Sequence, residues 1–197
     1  MGYLNNRIRL ALFASGSGSN AERICEYFLK HPQVEVVLIY SNKNNAGVFN
    51  RLKSYGIPYA HLENKESAKG KNLLALMNQN QIDFIALAGY LRLIPKELVE
   101  AYPNRIVNIH PALLPQYGGK GMYGHHVHKA VYDAGETYSG LTIHFVNEKF
   151  DEGNHICQVK TEIKGLKTAD EIAAKVLRLE HQYYAAILEQ VALSTIF

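Results

Sequence analysis

The chain has 197 residues, of which 47% are hydrophobic and 20% are charged, and this balance is typical of a globular protein rather than a disordered chain or a coiled coil. The net charge is only +3 and the basic residues are scattered, which disfavours nucleic acid but suits small anionic ligands. No apolar run reaches the roughly 18–20 residues of a membrane helix, residues 1–9 lack a signal-peptide core, and two cysteines are too few for a disulfide framework. We therefore expect a cytoplasmic protein that binds neither nucleic acid nor a membrane.

Short apolar runs alternate with amphipathic stretches through the first half of the chain. Strands are predicted at 8–13, 34–40, 59–62, 84–88 and 105–109. A first helix is predicted after Asn20, which would cap it, with Ile24, Cys25, Phe28 and Leu29 on its apolar face. Further helices are predicted at 46–55, around Leu73, Leu74, Leu76 and Met77, and from Pro95 to about 102. This alternation predicts a Rossmann-like α/β fold, in which a mostly parallel, twisted sheet has helices on both faces.

The second half of the chain begins with a long irregular segment, 111–124, that contains two prolines and four glycines. Long loops inside a compact domain are uncommon and often functional. A helix is predicted at 125–134, followed by two strands joined by a polar turn, at 141–146 and 156–163, so that the final strands are mixed or antiparallel. Thr168 and Glu171 predict a capping box for a last helix. Its apolar face is predicted to contain Ile172, Val176, Leu179, Tyr183 and Ile187.

A loop rich in glycine and serine, Gly16-Ser17-Gly18-Ser19-Asn20, follows the first predicted strand. Glycines let the backbone approach a ligand closely, and the next helix offers free amides and a positive dipole end to an anion. The spacing from Gly16 to Ala21 also fits a loose dinucleotide pattern, but that interpretation needs an acidic residue after the second strand, where the chain has Ser41-Asn42-Lys43. We therefore predict a bound phosphate, with a tight structural turn as the alternative.

Asn108 and His110 lie two residues apart at the carboxyl end of the fifth predicted strand and are followed by Pro111. Side chains two apart face the same side of a strand, and here they lie at the carboxyl end, where open parallel sheets bind ligands. An imidazole there can exchange protons near neutral pH, and a carboxamide can donate a hydrogen bond to a developing oxyanion. A buried, hydrogen-bonded histidine beside a turn asparagine is the alternative.

Asp151, Glu152 and Gly153 lie in the turn between the last two predicted strands. Asp and Gly are ordinary turn residues, so a structural role is one interpretation. In the functional interpretation Asp151 folds back beside His110, where its carboxylate would favour the protonated imidazole and raise its pKa.

Three histidines, His125, His126 and His128, begin the helix that follows the long loop. Imidazole is a common zinc ligand. However, His125 and His126 diverge on a helix, and no H-x-x-x-H spacing is present. We therefore predict surface or loop histidines and no metal site.

Taken together, these motifs resemble those of the folate-dependent formyltransferases. The run at 108–115, Asn-Ile-His-Pro-Ala-Leu-Leu-Pro, closely resembles the signature loop of that family. The segments at 144–146 and 151–153, with Gln158, resemble its downstream part. The loop Gly18-Ser19-Asn20 is similar to that of the family member that acts in purine biosynthesis.

The resemblance extends over about residues 7–191 and implies a reaction. In it, the amine of 5-phosphoribosyl-glycinamide attacks the formyl carbon of the co-substrate 10-formyltetrahydrofolate. A tetrahedral intermediate then collapses to formylglycinamide ribonucleotide and tetrahydrofolate. His110 would be the general acid/base, Asn108 the oxyanion donor, and Asp151 the group that raises the pKa of His110. A monomer or homodimer that acts on small molecules without a metal is implied.

The same resemblance implies the organisation of the chain and its ligand contacts. One domain, 1–197, would contain a phosphate-binding lobe at about 1–103 and a catalytic and folate-binding lobe at about 104–197. Gly18, Ser19 and Asn20 would bind the acceptor phosphate, and Glu180 on the last helix would contact the acceptor. The folate pocket would be lined by Asn108 and by Leu91, Arg92, Leu93 and Ile94. A solvated surface cation is the alternative for Arg92.

The chain differs from many family members in the loop at 117–124, which is longer, so its conformation is not predicted. The folate-contacting residue before the third helix is not assigned either. Another folate-dependent formyltransferase or formyltetrahydrofolate hydrolase would share Asn108, His110 and Asp151, but the relevant relatives carry additional domains for which we expect no room here. A non-catalytic nucleotide-binding module would keep the glycine loop without needing those three residues.

Overall fold

Seven short strands, rich in β-branched and other apolar residues, form a single sheet in the order β3-β2-β1-β4-β5-β6-β7. The computed structural model describes residues 7–196. Residues 1–6 and residue 197 lie outside the described part, and so does most of the segment 1–9, for which the sequence predicts no signal peptide. The strands are β1 Ile8–Phe13, β2 Val34–Ser41, β3 Tyr59–His61, β4 Phe84–Leu87, β5 Ile106–His110, β6 Tyr138–Phe145 and β7 His155–Glu162. Strands β1 to β5 are parallel, whereas β6 runs antiparallel to both β5 and β7. The structure therefore confirms the predicted fold class.

The helices cover both faces of the sheet, as the alternating pattern predicts. They are α1 Ser19–Phe28, α2 Gly47–Arg51, α3 Asn64–Ser67, α4 Gly70–Gln79, α5 Lys96–Ala101, α6 His125–Asp133 and α7 Ala169–Ile196. Because side chains alternate along a strand, β1 contributes Leu10 and Leu12 to a core with α1, α6 and α7, and Phe13 to a second core with α4 and α5. Burial on both faces explains why the central strands are almost wholly apolar.

The start of α1 differs from the prediction. The N-cap residue is Gly18, with a left-handed φ of 79°, and no side chain caps the helix. The capping role predicted for Asn20 is therefore wrong, because Asn20 lies inside the first turn of the helix and its side-chain amide donates to Glu180 on α7. Leu29, predicted on the buried face, follows the helix and is 63% exposed.

The buried face of α7 is also rotated relative to the prediction. Ile172 and Val176 are buried as predicted, but the next buried positions are Glu180, Tyr184 and Leu188, while Leu179, Tyr183 and Ile187 are only partly buried. The predicted capping box forms in part. The amide of Glu171 donates to Oγ1 of Thr168, whereas the Glu171 carboxylate accepts from the amide of Lys167.

Smaller differences occur before β4. The helix predicted at 46–55 is divided into α2 and a 3-10 turn, Lys53–Tyr55, which ends at Gly56 with φ of 65° as a glycine stop predicts. The short helix α3 was not predicted. Within residues 7–196, none of the helices combines the length and apolar character needed to cross a bilayer.

Candidate active site

The carboxyl ends of β1, β4 and β5 meet at one edge of the sheet, and the predicted functional residues lie there. Asn108 and His110 project from β5 to the same side, as their spacing predicts. His110 is 4% exposed, so its imidazole is largely removed from bulk water. This edge is where open parallel sheets bind their ligands.

Asp151 reaches this edge from the turn between β6 and β7. Its Oδ2 lies 3.5 Å from Nδ1 of His110, and its Oδ1 accepts a long hydrogen bond of 3.4 Å from Nδ2 of Asn108. The turn is tight because Gly153 packs on the backbone of Phe145, where a Cβ would overlap the carbonyl oxygen. The structure thus brings together three residues that are distant in the chain.

His144 is a further member of this cluster that the sequence analysis did not assign. It pairs with Asn108 across β5 and β6, and its Nδ1 donates to the carbonyl oxygen of Phe145 at 2.8 Å. Its Nε2 consequently accepts from Nδ2 of Asn108 at 3.0 Å. This contact orients the Asn108 amide, and the antiparallel register of the two strands was the signal that could have revealed it.

The long loop after β5 contacts the same cluster through backbone atoms. The carbonyl oxygen of Tyr117 accepts from Nε2 of His110 at 2.8 Å, and the amide of Gly119 donates to Oδ2 of Asp151 at 2.9 Å. Both loop residues have left-handed φ angles, of 57° and 92°. Because a carbonyl oxygen can only accept, the Tyr117 contact places a proton on Nε2 of His110. In the neutral ring, the unprotonated nitrogen is therefore Nδ1, which faces the Asp151 carboxylate.

The environment shifts the pKa values of His110 and Asp151 in ways the sequence shows only in part. Burial lowers the pKa of His110 below 6.5, and the raising effects of Asp151 and of the Tyr117 carbonyl only partly offset it. Asp151 therefore acts in the predicted direction, but the net pKa shift is downward. Burial raises the pKa of Asp151, yet the neighbouring His110 and the hydrogen bond from the Gly119 amide lower it, and the net shift of that pKa is downward, below 3.8.

The glycine loop before α1, predicted to bind a phosphate, is held in place by close packing and a backbone hydrogen bond. Gly18 takes the left-handed conformation, and a Cβ there would lie 2.6 Å from Cγ2 of Val48. The carbonyl of Gly16 accepts from the amide of Val48 at 3.0 Å, which fixes the loop against α2. The first amides of α1 have no partner within the helix, as at any helix N-terminus, and Ser19 and Asn20 supply two of them.

Glu180 lies beside this loop, where α7 passes α1. Its Oε2 accepts from Nδ2 of Asn20 at 2.6 Å, which explains the orientation of Asn20. Burial raises the pKa of Glu180 to about 7, although the Asn20 amide lowers it. The Oδ1 atom of Asn20 is buried without a hydrogen-bond partner in the described residues. The pair thus leaves one buried acceptor and one easily protonated carboxyl next to the glycine loop.

The segment predicted to line a folate pocket follows β4 at the same sheet edge. Leu91 and Leu93 are 38% and 43% exposed, and Arg92 is also exposed, whereas Ile94 is buried in the core with α4 and α5. The exposed fractions leave the first three side chains accessible to a ligand.

The histidines of α6 do not share one environment. His125 and His126 are exposed, and Nδ1 of His125 lies 3.2 Å from Oδ1 of Asp170. His128, predicted at the surface or in a loop, is instead buried, and burial lowers its pKa to about 4. Within residues 7–196, His, Cys, Asp and Glu side chains form no group of three or more that could hold a metal ion.

The sequence profile of the formyl transferase family matches residues 8–188 of the chain. The chain belongs to this family. The family match therefore covers the glycine loop, the residues around His110 and the Asp151 turn, and it reaches Glu180 on α7.

Named relatives of the chain agree with the family match. The chain is 44% identical over 188 residues to the chloroplastic phosphoribosylglycinamide formyltransferase of Arabidopsis thaliana, an alignment that covers 92% of this chain and 64% of the relative. It is 33% identical to the Bacillus subtilis phosphoribosylglycinamide formyltransferase, with 92% and 93% of the two chains covered. The chain spans 64% and 60% of the two plant relatives, from Arabidopsis thaliana and Vigna unguiculata.

Solved structures show the same fold. The crystal structure of phosphoribosylglycinamide formyltransferase from Bacillus halodurans superposes with a TM-score of 0.83 at 37% identity, and the match covers 93% of this chain and 94% of the other. The glycinamide ribonucleotide transformylase 1 from Geobacillus kaustophilus gives a TM-score of 0.86 at 33% identity, with 95% and 100% covered. The Rossmann-like arrangement is therefore shared with these proteins over nearly the whole chain.

Proposed function

We propose that this formyl transferase moves a formyl group from 10-formyltetrahydrofolate to the amine of 5-phosphoribosyl-glycinamide in purine biosynthesis. The observation that carries the proposal is the meeting of Asn108, His110 and Asp151 at one sheet edge, with distances of 3.4 and 3.5 Å from the carboxylate to the other two side chains. The names of the relatives support this acceptor, and the glycine loop offers a place for its phosphate.

Asn108 is proposed to stabilise the charge that develops on the formyl oxygen. Attack by the amine forms a carbon–nitrogen bond and converts that oxygen into an oxyanion, for which a fixed amide donor is effective. One hydrogen of the Asn108 amide is held by His144 at 3.0 Å, while the bond of the other to Asp151 is 3.4 Å long and weak. The second hydrogen is therefore available to the substrate.

His110 is proposed to carry the proton between the two nitrogens of the reaction. The attacking amine loses a proton, and N10 of the folate gains one as the old carbon–nitrogen bond breaks, so a group that accepts and returns one proton balances the step. A lowered pKa keeps the His110 ring neutral and able to accept a proton near pH 7. Asp151 stabilises the charged ring once the proton has been accepted.

The acceptor is proposed to lie between α1 and α7. Its phosphate would bind Gly18, Ser19 and Asn20, since the amides at a helix N-terminus attract anions. Its amide or ribose would contact Glu180, which lies 2.6 Å from Asn20. The donor would lie against Leu91, Arg92 and Leu93.

The proposal includes the expected organisation of the chain as one domain, with a phosphate-binding lobe at about 1–103 and a catalytic and folate-binding lobe at about 104–197. A cytoplasmic location and a monomeric or homodimeric state are further parts of it. Cell fractionation and sedimentation of the purified protein test these two parts separately from the chemistry.

Near-ultraviolet absorbance tests the reaction, because release of tetrahydrofolate changes the spectrum of the folate. The protein is incubated with 10-formyltetrahydrofolate, with and without 5-phosphoribosyl-glycinamide. We expect the absorbance change only when the acceptor is present. An equal change without the acceptor would identify a hydrolase, and the absence of change in both samples would rule out folate-dependent formyl transfer to this acceptor.

A further inference from the structure

Ser15, two residues after the end of β1, makes three hydrogen bonds from a position that is 2% exposed. Its amide donates to the carbonyl oxygen of Gly89 at 2.9 Å. Its Oγ accepts from the amide of Leu91 at 3.0 Å and donates to Oδ1 of Asn42 at 2.6 Å. The hydroxyl is thus used both as a donor and as an acceptor, which a side chain without an oxygen could not do.

These contacts fix the turn that follows β4. Gly89 has a left-handed φ of 80°, and the turn leaves the sheet there to begin the segment with Leu91, Arg92 and Leu93. Ser15 holds this turn at two points, once through its backbone and once through its hydroxyl. The side-chain bond is the one that reaches Leu91, the first residue proposed to line the folate pocket.

Asn42 determines the direction of the Ser15 hydroxyl. Its Oδ1 accepts the hydroxyl proton, so that a lone pair of Oγ is left for the Leu91 amide. Nδ2 of Asn42 in turn donates to Oδ1 of Asn64, at the start of α3, at 2.9 Å. Asn42 occupies the position where a dinucleotide-binding fold would carry an acidic residue, and here that position orients a serine.

Ser15 also directly precedes the loop Gly16–Asn20 that is proposed to bind the acceptor phosphate. One buried residue therefore touches the backbone of the donor segment and begins the acceptor loop. We propose that Ser15 is a positioning residue that fixes the donor and acceptor subsites relative to each other, with Asn42 orienting its hydroxyl. This inference rests on the proposed function for the identity of the two ligands.

Steady-state kinetics of Ser15→Ala tests the proposal. The substitution removes the acceptor of the Leu91 amide and leaves Asn108, His110 and Asp151 untouched. We expect the KM for 10-formyltetrahydrofolate to rise about tenfold, as for the loss of one buried hydrogen bond, and the KM for 5-phosphoribosyl-glycinamide to rise about threefold. The kcat should stay within about threefold of the wild type. Calorimetric titration with tetrahydrofolate should show the same weakening of about tenfold in Kd.

Ser41→Ala is the matched control, because Ser41 is fully buried at the end of the neighbouring strand, and within residues 7–196 its Oγ accepts a local bond from the Lys43 amide. We expect wild-type KM values for this variant. Ser15→Cys is the second variant, to be used if Ser15→Ala does not fold, because it preserves the shape of the side chain with a weaker acceptor. It should raise the KM and the Kd for the folate by about threefold. Wild-type KM and Kd values in a folded Ser15 variant would overturn the inference, as would equal increases in Ser41→Ala.

The titration separates the two proposals. If the wild type binds tetrahydrofolate but transfers no formyl group, the proposed function fails, and the Kd of the Ser15 variants still decides the positioning role. If the wild type is active and Ser15→Ala has wild-type KM and Kd values, only the positioning role fails. A wild type that does not bind tetrahydrofolate would overturn both proposals.

Discussion

Two glycine-rich loops leave the carboxyl edge of the sheet, and they take their conformations from different sources. The loop at 15–20 is shaped by close packing, since Gly18 takes a left-handed conformation against the side chain of Val48 on α2. The loop at 111–124 is shaped by a polar contact, because the amide of Gly119 donates to the carboxylate of Asp151. The first loop therefore depends on the shape of its apolar neighbour, whereas the second depends on the charged cluster that it covers.

The largest expected effect concerns the cluster under the second loop. We expect Asn108→Ala to lower turnover by roughly two to three orders of magnitude, because the loss of an oxyanion donor costs about 2.7–4 kcal/mol of barrier. Formyl transfer followed by folate absorbance measures the loss, and circular dichroism should show an intact fold.

The control for Asn108→Ala is Asn78→Ala, which removes an exposed carboxamide on α4 and should have wild-type turnover. Near-normal turnover of Asn108→Ala itself would remove Asn108 from the mechanism, and the second loop would then cover a structural cluster rather than a catalytic one.

The next effect concerns the first loop. Gly18→Ala should lower the free energy of unfolding by about 2–4 kcal/mol, because it adds left-handed strain and a clash with Val48. Gly16→Ala is the matched variant in the same loop, since a Cβ at Gly16 meets nothing within 4 Å, and its stability should be close to that of the wild type. Urea unfolding measures both free energies, and equal stabilities would show that the packing of Gly18 against Val48 does not hold the loop.

Glu180 joins the first loop to α7, and its effect on stability depends on pH. Because the pKa of Glu180 is raised to about 7 in the fold, its ionised form is disfavoured, and the fold loses stability as the pH rises from about 4.5 to 7. Glu180→Gln should remove this loss. It should be more stable than the wild type by on the order of 3 kcal/mol above pH 7, with little difference near pH 4.5.

Thermal unfolding across this pH range measures the effect of Glu180→Gln, and the acceptor KM should rise in the same variant because a proposed contact is lost. Glu100→Gln, on the exposed surface of α5, is the control and should show no such pH dependence. A stability difference that stays constant with pH would contradict the buried, easily protonated carboxyl.

The smallest expected effect is a shift in pH dependence under the second loop. Asp151 raises the pKa of His110 against the lowering effect of burial, so Asp151→Asn should lower that pKa further. The acidic limb of kcat/KM against pH should then move to lower pH, since the ring stays neutral there. Glu152→Gln, at the exposed neighbouring position, should leave the limb in place, and a limb that moves to higher pH would contradict the assignment.

The regular part of the fold was predictable because its information is local. The apolar runs predict all seven strands, and the spacing of two residues places Asn108 and His110 on one side of β5. The turn residues alone left Asp151 with a structural and a functional interpretation. The family resemblance favoured the functional one, in which Asp151 lies beside His110.

The remaining features depend on tertiary contacts. The contacts of Tyr117 and Gly119 with His110 and Asp151 are made by backbone atoms, which every residue carries, so residue type could not indicate them. On α7, counting apolar residues favours Leu179 and misses Glu180, because a carboxyl is buried there to face Asn20. The net pKa of His110 also depends on burial, which becomes known only with the packed structure.

A double-mutant cycle on His110 and Asp151 tests most directly whether the residues under the second loop act as one catalytic unit. The kcat/KM for formyl transfer is measured for His110→Ala, Asp151→Asn and the double variant. Residues that serve the same step have strongly non-additive effects, so the account predicts a double variant no slower than His110→Ala alone. A double variant slowed by the product of the two single effects would show that the carboxylate and the imidazole act independently, and would contradict the account.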